Sequence, residues 1–193
     1  GEQEKVLSLN PYWPFTESRM VFFPDFSNQT NRAELYARSA TGIEAGKETE
    51  ILAVFLKYLK LAVDEMEKGL RLYRFAAVNS PEHKREQAVR EVIVAEQMQR
   101  MMQSDYAILE FEDLRLQLLN ERENSSYEEI LDRMEKILKE EIDRTKSSLL
   151  AATKDSRLGF QFEQDYVYTP YSLNQKLTLL RETLEVQLPS ARK

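Results

Sequence analysis

The sequence predicts an all-α fold: an elongated antiparallel helical bundle of three long helices plus a shorter C-terminal helix, with an irregular aromatic N-terminal arm. Three observations carry this expectation. Apolar residues recur at steps of three and four over long stretches, the spacing that lines one side of a helix. No proline stands between Pro81 and Pro170, and the 193 residues include five glycines, so the two residue types that most often interrupt helices are scarce. The interruptions that do occur are brief, at residues 79–81, 124–126 and 155–170. The expected organisation is an arm and short helix over residues 1–45, packed on a bundle formed by 46–193 with an irregular joint at 155–170.

The arm comes first. NPYWPFTESRMVFFPDF holds three of the six prolines together with Tyr12, Trp13, Phe15, Phe22, Phe23 and Phe26. Prolines at this density exclude continuous helix. Its bulky apolar side chains need cover, from the helices of this chain or from a neighbouring domain. Residues 31–39 read as a short helix, and ATGIEAG as a loop.

The first long helix is expected from about Gly46 to Val78. Ile51, Phe55, Tyr58, Leu59, Ala62, Met66, Leu70, Tyr73 and Ala77 form one stripe, and Leu52, Leu56, Val63 and Leu72 a second, so neighbours are expected on more than one side. Ser80 before Pro81 reads as a helix start, the hydroxyl capping free amides and proline suiting the first turn. The second helix then runs to about Arg122 on Ala88, Val92, Ala95, Met98, Met102, Ile108, Leu109, Leu116 and Leu119, with Met98, Met101 and Met102 as a methionine-rich core seam. Ser126 and Glu129 match a capping box that opens the third helix. Ile130, Leu131, Met134, Ile137, Leu138, Ile142, Leu149 and Leu150 form its stripe, and the charged residues between Glu128 and Lys154 read as a solvated face. The fourth helix follows Thr169 and Pro170 on Leu173, Leu177, Leu180, Leu184 and Leu188, with Pro189 ending it. Short connections imply antiparallel neighbours.

Composition excludes several functions. Net charge is −6 with basic and acidic residues interleaved, which argues against a nucleic-acid surface. No apolar run approaches the roughly 18–20 residues of a membrane span, and no signal peptide is visible. Without cysteine there is no thiol nucleophile or thiolate metal site. The single histidine, His83, rules out the paired Glu-x-x-His ligands of a di-iron bundle and any His-based zinc site. No phosphate-binding glycine loop, nucleophile elbow or dinucleotide fingerprint is present. No catalytic residue, metal or cofactor is assigned. Carboxylate pairs are abundant, and nothing singles one out.

The joint DSRLGFQFEQDYVYTP holds the candidate functional residues. Asp155, Arg157 and Gly159 are expected to anchor the loop, Arg157 by a planar pair with a carboxylate and Gly159 by its permissive backbone. Phe160, Phe162, Tyr166 and Tyr168 either close the end of the bundle or, with Tyr12 and Trp13, offer a platform for sugar rings or for another domain.

The stretch LLAATKDSRLGFQFEQDYVYTPYSLNQKL resembles the C-terminal helical region of large glycoside-hydrolase-like proteins of Bacteroides-type glycan degraders. In these an Asp-Ser-Arg-Leu/Ile-Gly-Phe/Trp-Glu element follows a long helix and precedes a tyrosine-rich turn and a final helix. This chain has Gln161 at the glutamate position, with Glu163 nearby. The resemblance implies a periplasmic or cell-surface, non-catalytic accessory domain that packs on or shapes the catalytic domain of the same or a neighbouring chain. The alternatives are a free-standing helical protein-interaction module, and a carbohydrate-binding module that uses Trp13, Tyr166 and Tyr168 to take an oligosaccharide. A homodimer is compatible with each.

Overall fold

The computed structural model describes residues 48–120, 126–159 and 168–192. All regular structure among them is helical: α1 (Glu48–Val78), α2 (Glu82–Asn120), α3 (Tyr127–Lys154), a 3-10 turn (Ser156–Gly159), α4 (Pro170–Glu182), a π turn (Thr183–Gln187) and α5 (Leu188–Ala191). The expectations for the arm, with Tyr12 and Trp13, and for Phe160, Phe162 and Tyr166 fall outside the described residues.

Each long helix packs on the next in the opposite sense, as cross-helix bonds mark. Gln99 Nε2 of α2 donates to the Val63 carbonyl of α1 at 3.2 Å, and Arg74 Nε donates to Glu96 at 2.9 Å. Between α2 and α3, Arg100 donates to Ser148, Ser104 to Glu141 and Arg133 to Glu110, at 3.2, 2.7 and 2.9 Å. Lys176 of α4 reaches back to Glu141, while Tyr127 at the start of α3 donates to the Ala191 carbonyl at 2.9 Å.

The main core lies where α2, α3 and the C-terminal helix meet. Phe111, Leu131, Met134, Ile137, Leu138, Leu180 and Leu188 fill it, and all of these but Phe111 are buried almost completely. Burying an aliphatic side chain of this size contributes on the order of 1.5–3 kcal/mol. By contrast α1, among the described residues, packs mainly on α2. Its two expected stripes merge into one contact face, in which Leu52 and Leu70 are buried and Phe55, Leu56, Leu59, Ala62, Val63 and Met66 are half-buried. Tyr58, Leu72 and Tyr73 are exposed instead. Residues spaced by three and four drift around a long helix, so both stripes could not face one neighbour along their whole length.

Other local expectations are corrected. Ser126 has helical backbone angles and makes no side-chain cap, and its carbonyl accepts from Ile130 N, so it behaves as part of the first turn rather than as a capping box. The Ser80 hydroxyl donates to the Ala76 carbonyl at 3.0 Å and so serves the end of α1, not the start of α2. The capping box stands at Thr169 and Ser172: Thr169 Oγ1 accepts from Ser172 N at 3.1 Å, and Ser172 Oγ accepts from Thr169 N at 3.0 Å. Met98 and Leu150 are exposed, while Met101 packs inward. Pro189 does not stop the last helix. It has no N–H to donate, and the π turn before it, in which Leu188 N bonds to the Thr183 carbonyl, lets the chain remain helical to Ala191.

Candidate functional site

Where the apolar stripe of α3 passes Ile142, the face turned to α2 and α4 becomes polar and small: Glu141, Thr145 and Ser148, then Ala151 and Ala152. Glu141 is 0% exposed. A carboxylate cannot be taken out of water without replacement partners, and three neighbours supply them. Its Oε1 accepts from Ser104 Oγ of α2 at 2.7 Å and from Lys176 Nζ of α4 at 2.5 Å, and its Oε2 accepts from Arg144 Nε at 2.7 Å. Burial pushes the Glu141 pKa up, but the charges of Lys176 and Arg144 with the hydrogen bonds from Lys176 and Ser104 more than reverse this, so the group is held below its ordinary value. It is ionised, and one salt-bridged layer joins three helices.

Asp105 follows Ser104 and stays on the opposite side of neutrality. Burial pushes its carboxyl up to about 8; Lys176 opposes the rise and Glu141 adds to it. Near neutral pH it therefore holds its proton. Tyr168, at the entry to α4, is 9% exposed and packs with Ala152, Leu173, Met101 and Leu149. Burial, then the charges of Asp105 and Glu141, raise its phenol pKa. On the far side Arg100 donates to Gln97 Oε1 at 3.1 Å and Ser148 Oγ at 3.2 Å, and Arg74 of α1 meets Glu96 at 2.9 Å, so polar contacts run across all four helices.

A pair of carboxyls driven to opposite protonation states is an arrangement that acid–base catalysis also uses. Here the ionised member has no solvent face and each of its oxygens is already engaged. The bonds of this layer link α2, α3 and α4 at one level, the kind of arrangement through which a buried ion pair can set register. Among the described residues no group of histidine, cysteine, aspartate or glutamate could hold a metal ion.

The anchor residues of the joint bond to each other. Arg157 Nε donates to Asp155 Oδ1 at 2.9 Å, its Nη2 to Oδ2 at 2.6 Å, and its backbone N to Oδ1 at 3.0 Å. The Asp155 backbone N in turn caps α3 by donating to the Ala151 carbonyl. The Arg157 hydrogen bonds hold the Asp155 carboxyl down to about 2, and Arg90 of α2 adds to the effect. Gly159 closes the 3-10 turn. Tyr168 is thus brought to the buried layer and not to an open platform, whereas Asp155 and Arg157 lie at the end of α3 beside Arg90 and Glu91.

Sequence reading missed Ser104, Asp105, Glu141 and Lys176, taking the charges of α3 as a solvated face. A signal was present. Lys176 lies three residues after Leu173 and four before Leu180, and Glu141 four after Ile137 and one before Ile142, so each occupies an apolar stripe.

Comparison of the chain with protein-family models, with curated protein sequences and with solved structures finds no match.

Proposed function

We propose that this chain is a non-catalytic accessory helical bundle, with an aromatic N-terminal arm, of an extracytoplasmic glycoside-hydrolase-like protein, packing on the catalytic domain of the same or a neighbouring chain. The observation that carries the docking role is the free end of the α1–α2 hairpin. Residues 82–90 of α2 are exposed apart from half-buried Ala88, and Leu72, Phe75, Val78 and Val89 stand in solvent there, Phe75 at 70% exposure. An open groove of about 350 Å³, lined by Tyr73, Ala76, Ala77, Ala88 and Val92 among others, lies between the two helices. Clustered apolar side chains of this kind mark an interaction surface. The Asp-Ser-Arg-Leu-Gly element that carries the family resemblance sits at the base of this end, its charges within reach of Arg90 and Glu91. No helix among the described residues is long and apolar enough to cross a membrane.

The test is to express the chain with the glycoside-hydrolase-like domain encoded in the same or the adjacent reading frame and follow the two by size-exclusion chromatography. The expected result is a stable pair that Phe75→Glu with Val89→Glu separates while the helical circular dichroism is kept. No such domain in either frame, or no association, overturns the reading. Oligosaccharide titration followed at Trp13 addresses the carbohydrate-binding alternative. The accessory reading expects a flat response, and a saturable shift lost in Trp13→Phe replaces it with direct sugar binding.

A further inference from the structure

The other half of α1 carries a second, separate apolar patch. Val54, Tyr58 and Leu61 follow one another at steps of four and three, and all three are exposed, Tyr58 at 62%. They lie opposite Leu52, Leu56, Leu59 and Val63, which turn to α2. The patch is bounded. Lys57 sits 5.7 Å from the centre of the Tyr58 ring, Lys60 pairs with Asp64 at 2.8 Å, and Lys68 pairs with Glu65 at 2.5 Å, interrupting the row before Leu72.

We infer that this patch is the seat of the chain's own N-terminal segment, with Tyr12, Trp13, Phe15, Phe22, Phe23 and Phe26 supplying the covering surface. Forty-seven residues precede the start of α1 at Glu48, and the chain enters that helix less than two turns from Val54. The stretch from Phe26 to Glu48 spans up to about 70 Å when extended, whereas Val54 to Leu61 covers roughly 10 Å of helix. The tether reaches without strain. A segment so attached is present at an effective concentration on the order of millimolar, far above that of a second copy at ordinary protein concentrations, which decides between these occupants. Glu17 and Asp25 within the segment are opposite in charge to Lys57 and Lys60 at the margin of the patch. This inference goes beyond the accessory-domain reading, which rests on the opposite end of the hairpin.

Trp13 is the single tryptophan, so its fluorescence in the full 193-residue chain reports the segment alone. The expected result is a blue emission maximum and slow acrylamide quenching. Tyr58→Glu with Leu61→Glu shifts the emission to that of a water-exposed indole and speeds quenching several-fold, with helical circular dichroism and monomeric mass unchanged. Leu72→Glu with Phe75→Glu leaves the emission where it was. A water-exposed Trp13 in the parent chain, or emission that ignores the Tyr58 and Leu61 changes, overturns the inference. So does emission that responds to the Leu72 and Phe75 changes instead. A concentration-dependent dimer lost in Tyr58→Glu with Leu61→Glu also overturns it and gives the patch to a second copy. Because no catalytic domain takes part, the outcome is independent of whether one binds the hairpin end.

Discussion

At the scale of single residues, the Glu141 and Lys176 pair stabilises only as a pair. Glu141 is fully enclosed and Lys176 is 4% exposed, so removing one partner strands the other away from water. Lys176→Met is expected to cost about 3–5 kcal/mol, read as a lower urea midpoint. Glu141→Leu with Lys176→Met is expected to recover most of that loss, because an apolar pair of similar volume needs no desolvation. Asp105 gives a separate pH signature. Its pKa of about 8 in the fold lies above the ordinary value of 3.8, so between these values the unfolded chain releases a proton that the folded chain keeps. The stability from this group is complete below 3.8 and is lost as pH rises towards 8. Glu141, shifted down from 4.5, acts in the other sense: its contribution is complete above that value and is lost as pH falls through its lower folded one. Thermal unfolding is therefore expected to show a midpoint that declines from about pH 5, above the range in which Glu141 counts, to about pH 8, where folded Asp105 also ionises. Asp105→Asn is expected to flatten that decline, and a slope that survives the substitution would assign it to another group. These residues were hard to read because a charge on an apolar stripe looks the same in sequence whether it snorkels to water or meets partners from two other helices.

Elements were far more legible. Periodicity placed α1, α2 and α3 within a few residues of their observed bounds, since a repeat sustained over many turns leaves no other regular structure that could bury it. Their ends were less legible, because capping depends on backbone angles that residue type only biases. Ser126 has the right chemistry in the wrong conformation and the Ser80 hydroxyl bonds the Ala76 carbonyl, whereas Thr169 has extended angles, φ −88° and ψ 155°, and receives the Ser172 amide. Proline at the next position fixes the first turn of α4. Thr169→Ala is expected to cost about 1 kcal/mol, measured by urea unfolding. Since α4 carries Lys176 into the buried layer, loss of this cap should also loosen the grip on Glu141.

For the whole molecule, periodicity indicated the all-helical class but not the packing order. Interleaved apolar stripes on α1 suggested neighbours on several sides, yet among the described residues α1 is served mainly by α2, and two of its apolar patches lie outside that contact. The division is physical: α3 pairs with the second half of α2, from Arg100 onward, so the remainder of the hairpin extends past it. The opposite end is drawn together. Arg192 bonds Glu128 at 2.5 Å, Asp132 at 2.6 Å and Glu135 at 3.1 Å, tying the last turn to the start of α3. That closure depends on the π turn at Thr183–Gln187. In an unbroken α-helix, at about 100° per residue, Leu188 would stand roughly 80° around the axis from Leu180. Taking up one residue in the wider turn brings it back to within about 20°, which is why both leucines are enclosed. The turn thus acts as a phase corrector: it resets the clock of the final helix by one residue, so that its greasy side and its terminal arginine arrive at α3 together.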